Sequence, residues 1–182
     1  MTQPIRVLAL CGSLRQKSFN KMALAVAKSV APPQMTIDVA EIGDLPLYND
    51  DVYNAGCPAP AQRLRDQCAA ADAILFVTPE YNHAPSAALK NALDFLFKEW
   101  NNKSAGFVGY GGTGAVRSVD MMRMICSNLE LADVRAQVSL TFAADFEKFT
   151  TFKPLPHQEG ALGQVLGQVE AWAKALKPLR QG

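Results

Sequence analysis

The stretch from Ile5 to Asn20 constrains the fold of this chain more than any other part of its sequence. It opens with a nearly unbroken apolar run from Ile5 to Cys11. Apolar runs with little alternation are typical of strands that are buried on both faces of a parallel sheet. Polar residues follow directly, and a helical pattern begins at Lys21. The stretch therefore predicts a buried strand, then a polar loop, then the N-terminus of a helix.

The polar loop has the composition of a phosphate cradle. Backbone N–H groups in the first turn of a helix lack intrahelical partners, and the helix dipole favours negative charge there. Arg15 adds guanidinium donors that match phosphate oxygens, and Ser13, Ser18 and Asn20 add hydroxyls and an amide. The alternative is that Ser18 or Asn20 only caps the helix and that Arg15 is a solvated surface charge.

Strand and helix patterns alternate five times along the chain, without an internal repeat or a linker. Such alternation predicts a parallel sheet that is covered by helices on both faces. We expect one domain over residues 1–182, an α/β fold with a flavodoxin-like, doubly wound, five-stranded sheet in the order 2-1-3-4-5. Strands are predicted over 5–11, 35–42, 72–78, 105–110 and 134–142, and helices over 21–31, 61–71, 86–100, 115–131 and 162–176.

Two further polar loops follow the third and fourth predicted strands. The first begins Pro79-Glu80-Tyr81-Asn82, and the second is the glycine-rich run from Gly109 to Gly114. The order 2-1-3-4-5 brings both loops beside the phosphate cradle, where ligands of open α/β sheets bind. Glycines let a backbone come into contact with a flat ring. The ligand should have a phosphate and a flat, hydrogen-bonding body, as FMN has and as a nucleotide such as AMP also has.

The charge and the cysteines of the chain limit its partners and its compartment. The net charge of +1, from 18 basic and 17 acidic residues, gives no basic field for nucleic acid and no acidic bias of the kind that electron carriers use. No apolar run approaches the roughly 20 residues that span a bilayer, and the N-terminus does not read as a signal peptide. The four cysteines form no C-x-x-C pair, and only two histidines are present. We expect a cytoplasmic protein without a metal site.

Together the three loops resemble the NAD(P)H-dependent FMN reductase family. The resemblance lies in GSLRQKSFN after the first strand, PEYN followed by AALKNALDFL, and YGGTG after the fourth strand, and it covers about residues 5–142. It implies FMN as the cofactor and NADPH or NADH as the co-substrate. Hydride would pass to flavin N5 and the electrons then to a small acceptor, such as a flavin, a quinone, an azo compound or a metal oxyanion. It also implies a homodimer or a homotetramer.

The resemblance further implies which residues contact FMN, and it implies no catalytic side chain besides the flavin itself. The glycine-loop amides and the following helix N-terminus would stabilise the negative charge of the reduced ring. We expect the turn geometry of Glu80, rather than its carboxyl group as an acid or base, to matter. The cofactor set is Ser13, Leu14, Arg15, Ser18 and Asn20 at the phosphate end, Pro79, Glu80, Tyr81 and Asn82 along the ring and ribityl chain, and Tyr110, Gly111 and Gly112 on the other side of the ring.

Other interpretations of these loops fit less well. The run from Gly109 to Gly114 matches the dinucleotide pattern G-x-G-x-x-G, but that fingerprint belongs after the first strand. Cys11 precedes a phosphate-like loop, but a cysteine phosphatase needs an arginine where this chain has Lys17. A flavodoxin-type electron carrier would share the fold and FMN, so it remains the alternative. Direct reduction of the flavin by NADPH distinguishes the two functions.

The sequence also leads to expectations for the segment 43–60, the helix over 86–100 and the segment 143–160. The segment 43–60 holds Tyr48 and Tyr53, which either form a rim over the ligand or belong to a loop that covers the sheet edge. The wide apolar arc of the helix over 86–100 predicts a subunit interface or, alternatively, a deeply buried helix. Three phenylalanines of the segment 143–160 are expected to reach a neighbouring subunit: Phe146, Phe149 and Phe152. Two arginines, Arg117 and Arg123, are candidates for a contact with a 2′-phosphate, although the sequence does not place them.

Overall fold

The computed structural model describes residues 4–148 and 151–180, and it confirms the predicted sheet. Five strands pair in the order β2-β1-β3-β4-β5, and every pair is parallel. All residues of β3 and β4 are buried, whereas β2 alternates between buried and exposed residues because it lies at the edge. The strands are β1 Ile5–Cys11, β2 Met35–Ala40, β3 Ala73–Pro79, β4 Ser104–Gly111 and β5 Ala132–Thr141.

Helices cover both faces of this sheet, as predicted. Successive residues of a strand point to opposite faces, so Leu8 and Leu10 belong to one core and Val7 and Ala9 to the other. The first core is closed by α3 Ala59–Ala70, α4 Ala87–Asp94 and α5 Val116–Asn128. The second is closed by α1 Phe19–Ser29 and α7 His157–Leu176. No helix in residues 4–148 and 151–180 is long and apolar enough to cross a membrane.

Helix α4 is shorter than the predicted helix over 86–100, because the chain leaves the helix after Asp94. Trp100, which is fully buried, folds back and donates its indole N–H to the carbonyl of Leu93 at 3.3 Å. That carbonyl lies in the last helical turn, where it has no intrahelical donor. The apolar arc is thus largely buried by its own chain, and Phe97, which is 52% exposed, is its open member. The arc therefore no longer requires a subunit interface, and the homo-oligomer stays a prediction.

The segment 43–60 packs on α4 and includes a short helix, α2 Asp50–Ala55. The rings of Tyr48 and Tyr53 lie 5.2 and 6.4 Å from the ring of Phe95. The side chain of Asn91 accepts a hydrogen bond from the Tyr48 amide and donates one to the Pro46 carbonyl, both at 2.8 Å. The two tyrosines therefore pack against Phe95 just after the end of α4, and their place at the rim of a ligand site stays a prediction.

The residues after β5 are more ordered than the predicted irregular segment over 143–160. They form α6 Phe142–Asp145 and a hairpin of β6 Phe146–Glu147 and β7 Thr151–Phe152, before α7 begins at His157. The buried carboxylate of Asp145 accepts hydrogen bonds from the amides of Thr141 at 2.8 Å and Leu155 at 3.1 Å.

The phenylalanines of this hairpin pack within the chain. The ring of Phe146 lies 4.3 Å from that of Phe19 and 5.3 Å from that of Phe152. The prediction that Phe146 reaches a neighbouring subunit is therefore wrong, because the residue is buried and Phe19 at the start of α1 covers it. For Phe152, which is half-buried, it stays a prediction. Phe149 lies outside the described residues.

Candidate functional site

The three polar loops meet at the carboxyl edge of the sheet because the strands that precede them are neighbours. In the parallel register, Cys11 of β1 lies beside Val77 of β3, and Pro79 of β3 lies beside Tyr110 of β4. The loop after β1, the loop after β3 and the glycine loop after β4 therefore start at adjacent positions. The structure thus brings the predicted site residues to one edge.

The loop after β1 is fixed by its own polar groups. Ser18 caps α1, since its Oγ accepts a hydrogen bond from the Asn20 amide at 3.2 Å, and the helix begins at Phe19. Asn20 is fully buried, and its Nδ2 donates to the Val77 carbonyl of β3 at 3.1 Å. Asn20 therefore ties the cradle to the sheet rather than presenting its whole amide to a ligand. Ser18 therefore does cap the helix, as the alternative interpretation of this loop expected.

Two donors of this loop, the Ser13 hydroxyl and the Arg15 guanidinium, suit an anion such as a phosphate. Ser13 Oγ and Asn20 Oδ1 are buried without a hydrogen-bond partner in the described part of the chain. Arg15 is exposed, and among residues 4–148 and 151–180 it has neither a hydrogen bond nor an ion pair. An unsatisfied buried polar group costs about 1–3 kcal/mol. A phosphate that accepts from the Ser13 hydroxyl and from Arg15 would remove part of that cost.

Tyr110 belongs to this phosphate end of the site. Its side chain points from β4 into the core beneath α1, where its ring lies 6.0 Å from that of Phe19. Burial raises the pKa of the phenol, and the hydroxyls of Ser13 and Ser18 and the charge of Arg15 offset part of that rise. The Tyr110 side chain therefore lies next to the cradle hydroxyls, and its contact with the ring stays a prediction.

The loop after β3 is a tight hairpin. Tyr81 and Ala84 exchange two backbone hydrogen bonds of 3.0 Å. Both central residues, Asn82 and His83, have left-handed backbone angles, with φ of 52° and 67°. Positive φ at both central positions is the type I′ arrangement that favours a narrow turn. The turn leaves the Tyr81 ring 50% exposed as a flat wall at the sheet edge.

Glu80 connects this hairpin to the helix after the glycine loop. One carboxylate oxygen accepts from the Arg117 guanidinium at 2.8 Å, and the other accepts from the Arg117 amide at 3.1 Å. Burial alone would raise the pKa of Glu80, but the Arg117 side chain and the amides of Arg117 and Ser118 hold it below its usual value. Glu80 thus stays ionised and caps α5. The Arg117 amide in the first turn of α5 therefore already has an anionic partner, and the stabilisation of the reduced ring by this helix N-terminus stays a prediction.

The glycine loop is shaped by close backbone contacts on its inner side and by open space on its outer side. A Cβ at Gly109 would lie 2.4 Å from the carbonyl oxygen of Gly114, and Gly114 itself has a φ of +69°. At Gly112, by contrast, no described atom lies within 4 Å of the position that a Cβ would take. The backbone at Gly111 and Gly112 can therefore face a flat ring.

The sequence did not predict where two residues of the site, Arg117 and Thr78, would lie. Arg117 was an unplaced cation, and its contact with Glu80, which is 37 residues away along the chain, now locates it. Thr78 was not singled out, yet its hydroxyl shares a buried hydrogen bond of 2.8 Å with that of Ser118. Both contacts hold α5 against the end of β3.

The carboxylate of Glu80 gives a pH-dependent prediction. We expect Glu80→Gln to lower the free energy of unfolding at neutral pH by about 1 kcal/mol, since Arg117 is 46% exposed and solvent screens the pair. A depressed carboxyl pKa contributes stability above the unfolded value of 4.5. That contribution is lost as the pH falls through the folded pKa. The difference between variant and wild type should therefore shrink below about pH 4 in urea denaturation.

The exposed Glu41 offers a matched control for that measurement. Glu41→Gln removes one carboxylate without touching the Arg117 contact. The free energy of unfolding should therefore change little, both at neutral pH and below about pH 4. A difference between Glu80→Gln and the wild type that does not change with pH would contradict the assignment of Glu80 as an ionised cap.

Comparison with known proteins places these loops in a family. The model of the NADPH-dependent FMN reductases matches residues 5–145. An NAD(P)H-dependent FMN reductase of Pseudomonas aeruginosa is 50% identical over 113 residues, which are 60% of this chain and 61% of that protein. A quinone reductase of Pseudomonas putida is 35% identical over 154 residues, which are 77% of this chain and 83% of that protein. The NAD(P)H:(acceptor) oxidoreductase FerB of Paracoccus denitrificans has a similar structure, with a TM-score of 0.77, 26% identity, and coverage of 96% of this chain and 98% of FerB.

Proposed function

The chain belongs to the NADPH-dependent FMN reductase family, and from that membership we propose that it is an FMN-dependent oxidoreductase that uses NAD(P)H to reduce a small acceptor. The observation that carries the proposal is the unpartnered set of Ser13 and Arg15 beside an open glycine backbone at Gly112. A quinone is the acceptor class that we propose first. Relatives from Pseudomonas putida and Burkholderia are named quinone reductase and 2-hydroxy-1,4-benzoquinone reductase.

The cradle after β1 fits the phosphate of FMN. Ser13 and Arg15 supply donors that the described chain leaves unused, and Ser18 is fixed beside them by its cap. Asn20 holds the loop in place through β3, and Leu14, which is 58% exposed, is the remaining predicted residue of the loop. These five residues would hold the phosphate end of the cofactor.

The loops after β3 and β4 would hold the isoalloxazine ring between them. When bound, FMN supplies the ring that accepts hydride from NAD(P)H and passes electrons on to the acceptor. The Pro79–Asn82 loop presents the Tyr81 ring, and Gly111 and Gly112 present backbone on the other side. Because Glu80 joins the two loops, they keep a fixed separation for a flat molecule.

The side chains near the site argue against acid–base or thiolate chemistry. Glu80 is held as an anion by Arg117, so it is a poor proton donor near neutral pH. Burial raises the pKa of Cys11 to about 11, so a phosphatase-type thiolate is not available there. The chain's contribution is therefore to bind and orient.

The setting of the enzyme is also part of this proposal. All four cysteines lie in the described residues and are free thiols, which agrees with a reducing compartment such as the cytoplasm. A homodimer or homotetramer is proposed from the family, and the exposed ring of Phe97 is an available contact. Nucleic acid and membrane are not proposed as partners, given the net charge of +1.

The visible spectrum of the purified protein tests the function. The protein is mixed with FMN, passed over gel filtration, and then mixed with NADPH or NADH without oxygen. Retained flavin that is bleached directly, and recovers when a quinone is added, would support the oxidoreductase. Retained flavin that stays yellow with both nucleotides would favour a flavodoxin-type electron carrier and overturn the proposal.

Arg15→Ala tests the phosphate cradle. The substitution removes a charge-assisted contact of a class worth about 1.5–3 kcal/mol, so FMN should bind about tenfold more weakly or worse. Fluorescence titration of FMN measures the change. Arg135→Ala removes an exposed arginine from the first half of β5 and serves as the control. An unchanged FMN affinity in Arg15→Ala would return Arg15 to a surface charge.

A further inference from the structure

A groove adjoins the phosphate cradle on the outer side of α1. Its volume of about 750 Å³ lies within the range of small-molecule sites. The groove, called here the α1 groove, is lined by the cations Arg15, Lys17 and Lys21 and by the apolar side chains of Phe19, Met22 and Phe142. It shares Arg15 and Ser18 with the cradle, so it begins where the FMN phosphate would end.

The charge of the α1 groove is strongly unbalanced. Its described lining residues include three cations and no acidic side chain. The side chains of Lys17 and Lys21, like that of Arg15, make no hydrogen bond or ion pair anywhere in residues 4–148 and 151–180. The whole chain has a net charge of only +1, so this concentration of positive charge is local. A concave surface with such a field attracts an anion.

The floor of the α1 groove suits a flat ring. The rings of Phe19 and Phe142 lie 6.0 Å apart, and Met22, which also lines the groove, is 38% exposed. Phe19 is held from behind by the rings of Tyr110 at 6.0 Å and Phe146 at 4.3 Å. The aromatic surface is therefore already formed, and it lies next to charges that would bind a phosphate.

The arginines that the sequence offered for a 2′-phosphate have other partners. Arg117 pairs with Glu80 at 2.8 Å. Arg123 forms an ion pair with Asp133 and donates to the Val134 carbonyl at 2.8 Å. Lys17 and Lys21 are thus the cations near the cradle that remain available for a second phosphate.

We propose that the α1 groove binds the adenosine 2′-phosphate end of NADPH, an assignment that rests on the proposed function. Lys17 and Lys21 would pair with the 2′-phosphate, and the adenine ring would lie against Phe19 and Phe142. The rest of the dinucleotide would run past the cradle towards the ring site. The protein then prefers NADPH over NADH, because NADH lacks the phosphate that the two lysines bind.

The double variant Lys17→Ala/Lys21→Ala tests this assignment, and it leaves the FMN-binding residues in place. With saturating FMN and a fixed quinone, we expect the KM for NADPH to rise about tenfold, while the KM for NADH and both kcat values stay within about twofold. The control is Lys28→Ala/Lys98→Ala, which removes two exposed lysines that do not line the groove. In the control, the KM for NADPH and the KM for NADH should both stay within about twofold of the wild-type values.

A binding measurement separates this assignment from the proposed function. Calorimetry with FMN-loaded protein should show adenosine 2′,5′-bisphosphate binding about tenfold more weakly to the double variant than to the control. The 5′-monophosphate should bind the wild type weakly and should not distinguish the variants. Failure of the bisphosphate to bind the wild type, or equal losses for both nucleotides, would overturn the groove assignment. Bleaching of the flavin by NADH would in that case leave the proposed function standing.

Discussion

The Gly109→Ala variant is expected to lose FMN during gel filtration and to unfold at a lower temperature than the wild type. A Cβ at this position would lie 2.4 Å from the carbonyl oxygen of Gly114, which is a backbone atom and cannot rotate away. Gly114 cannot retreat freely, because a Cβ built there already comes within 2.7 Å of Ser139. The loop must therefore shift outward, into the space that the flavin ring would occupy. The expected loss of stability is about 3 kcal/mol.

Gly167→Ala provides the matched control for that variant. Gly167 lies in α7, and no described atom is within 4 Å of the position that its Cβ would take. The same substitution there should raise stability by about 0.5–1 kcal/mol, because alanine favours a helix over glycine. Thermal unfolding and the ratio of flavin to protein absorbance after gel filtration measure both effects. A Gly109→Ala protein that keeps its flavin and its melting temperature would show that the loop is not held as described.

Asn20→Asp is the second variant for which a large effect is expected. Asn20 is fully buried, and its Nδ2 donates to the Val77 carbonyl at 3.1 Å. An ionised carboxylate cannot donate, so it would face that carbonyl without a hydrogen bond and would repel a phosphate in the cradle. We expect FMN affinity to fall on the order of 100-fold, which corresponds to about 2.8 kcal/mol.

An exposed asparagine on α2 separates this effect from a general effect of added charge. Asn54→Asp makes the same chemical change at an exposed position, and FMN affinity should stay within about twofold of the wild type. Fluorescence titration compares the two proteins, and urea denaturation reports whether Asn20→Asp still folds. If the folded Asn20→Asp protein bound FMN as tightly as Asn54→Asp does, Asn20 would have no part in the cradle.

Much of the fold follows from local patterns in the sequence. The long apolar runs that became β1, β3 and β4 are signals that a single strand carries in itself, and their alternation with helices predicted the order of the sheet. The boundaries of α4 and the hairpin of β6 and β7 were missed. Both depend on partners elsewhere: Trp100 returns to Leu93, and Phe146 needs Phe19. Local pattern contains no information about such contacts.

The candidate site likewise has features that the sequence predicted and features that it did not. The three loops were predicted from their composition and from the strands that they follow. The Glu80–Arg117 pair, the Asn20 contact with Val77 and the place of the Tyr110 side chain were not predicted. Each joins residues from different crossovers of the fold, so sequence spacing does not reveal it. Lys17 was considered only as a residue that rules out a phosphatase loop, and the α1 groove gives it a different use.

The bond between Glu80 and Arg117 has a consequence for how a cofactor would exchange. It joins the two loops that would enclose the flavin ring, and it does so through side chains of the protein alone. The conformational entropy of ordering these loops is therefore lost during folding, before any ligand arrives. Preorganisation of this kind lets a ligand bind without an additional ordering penalty. We therefore expect FMN to leave and to bind again with little rearrangement of these two loops.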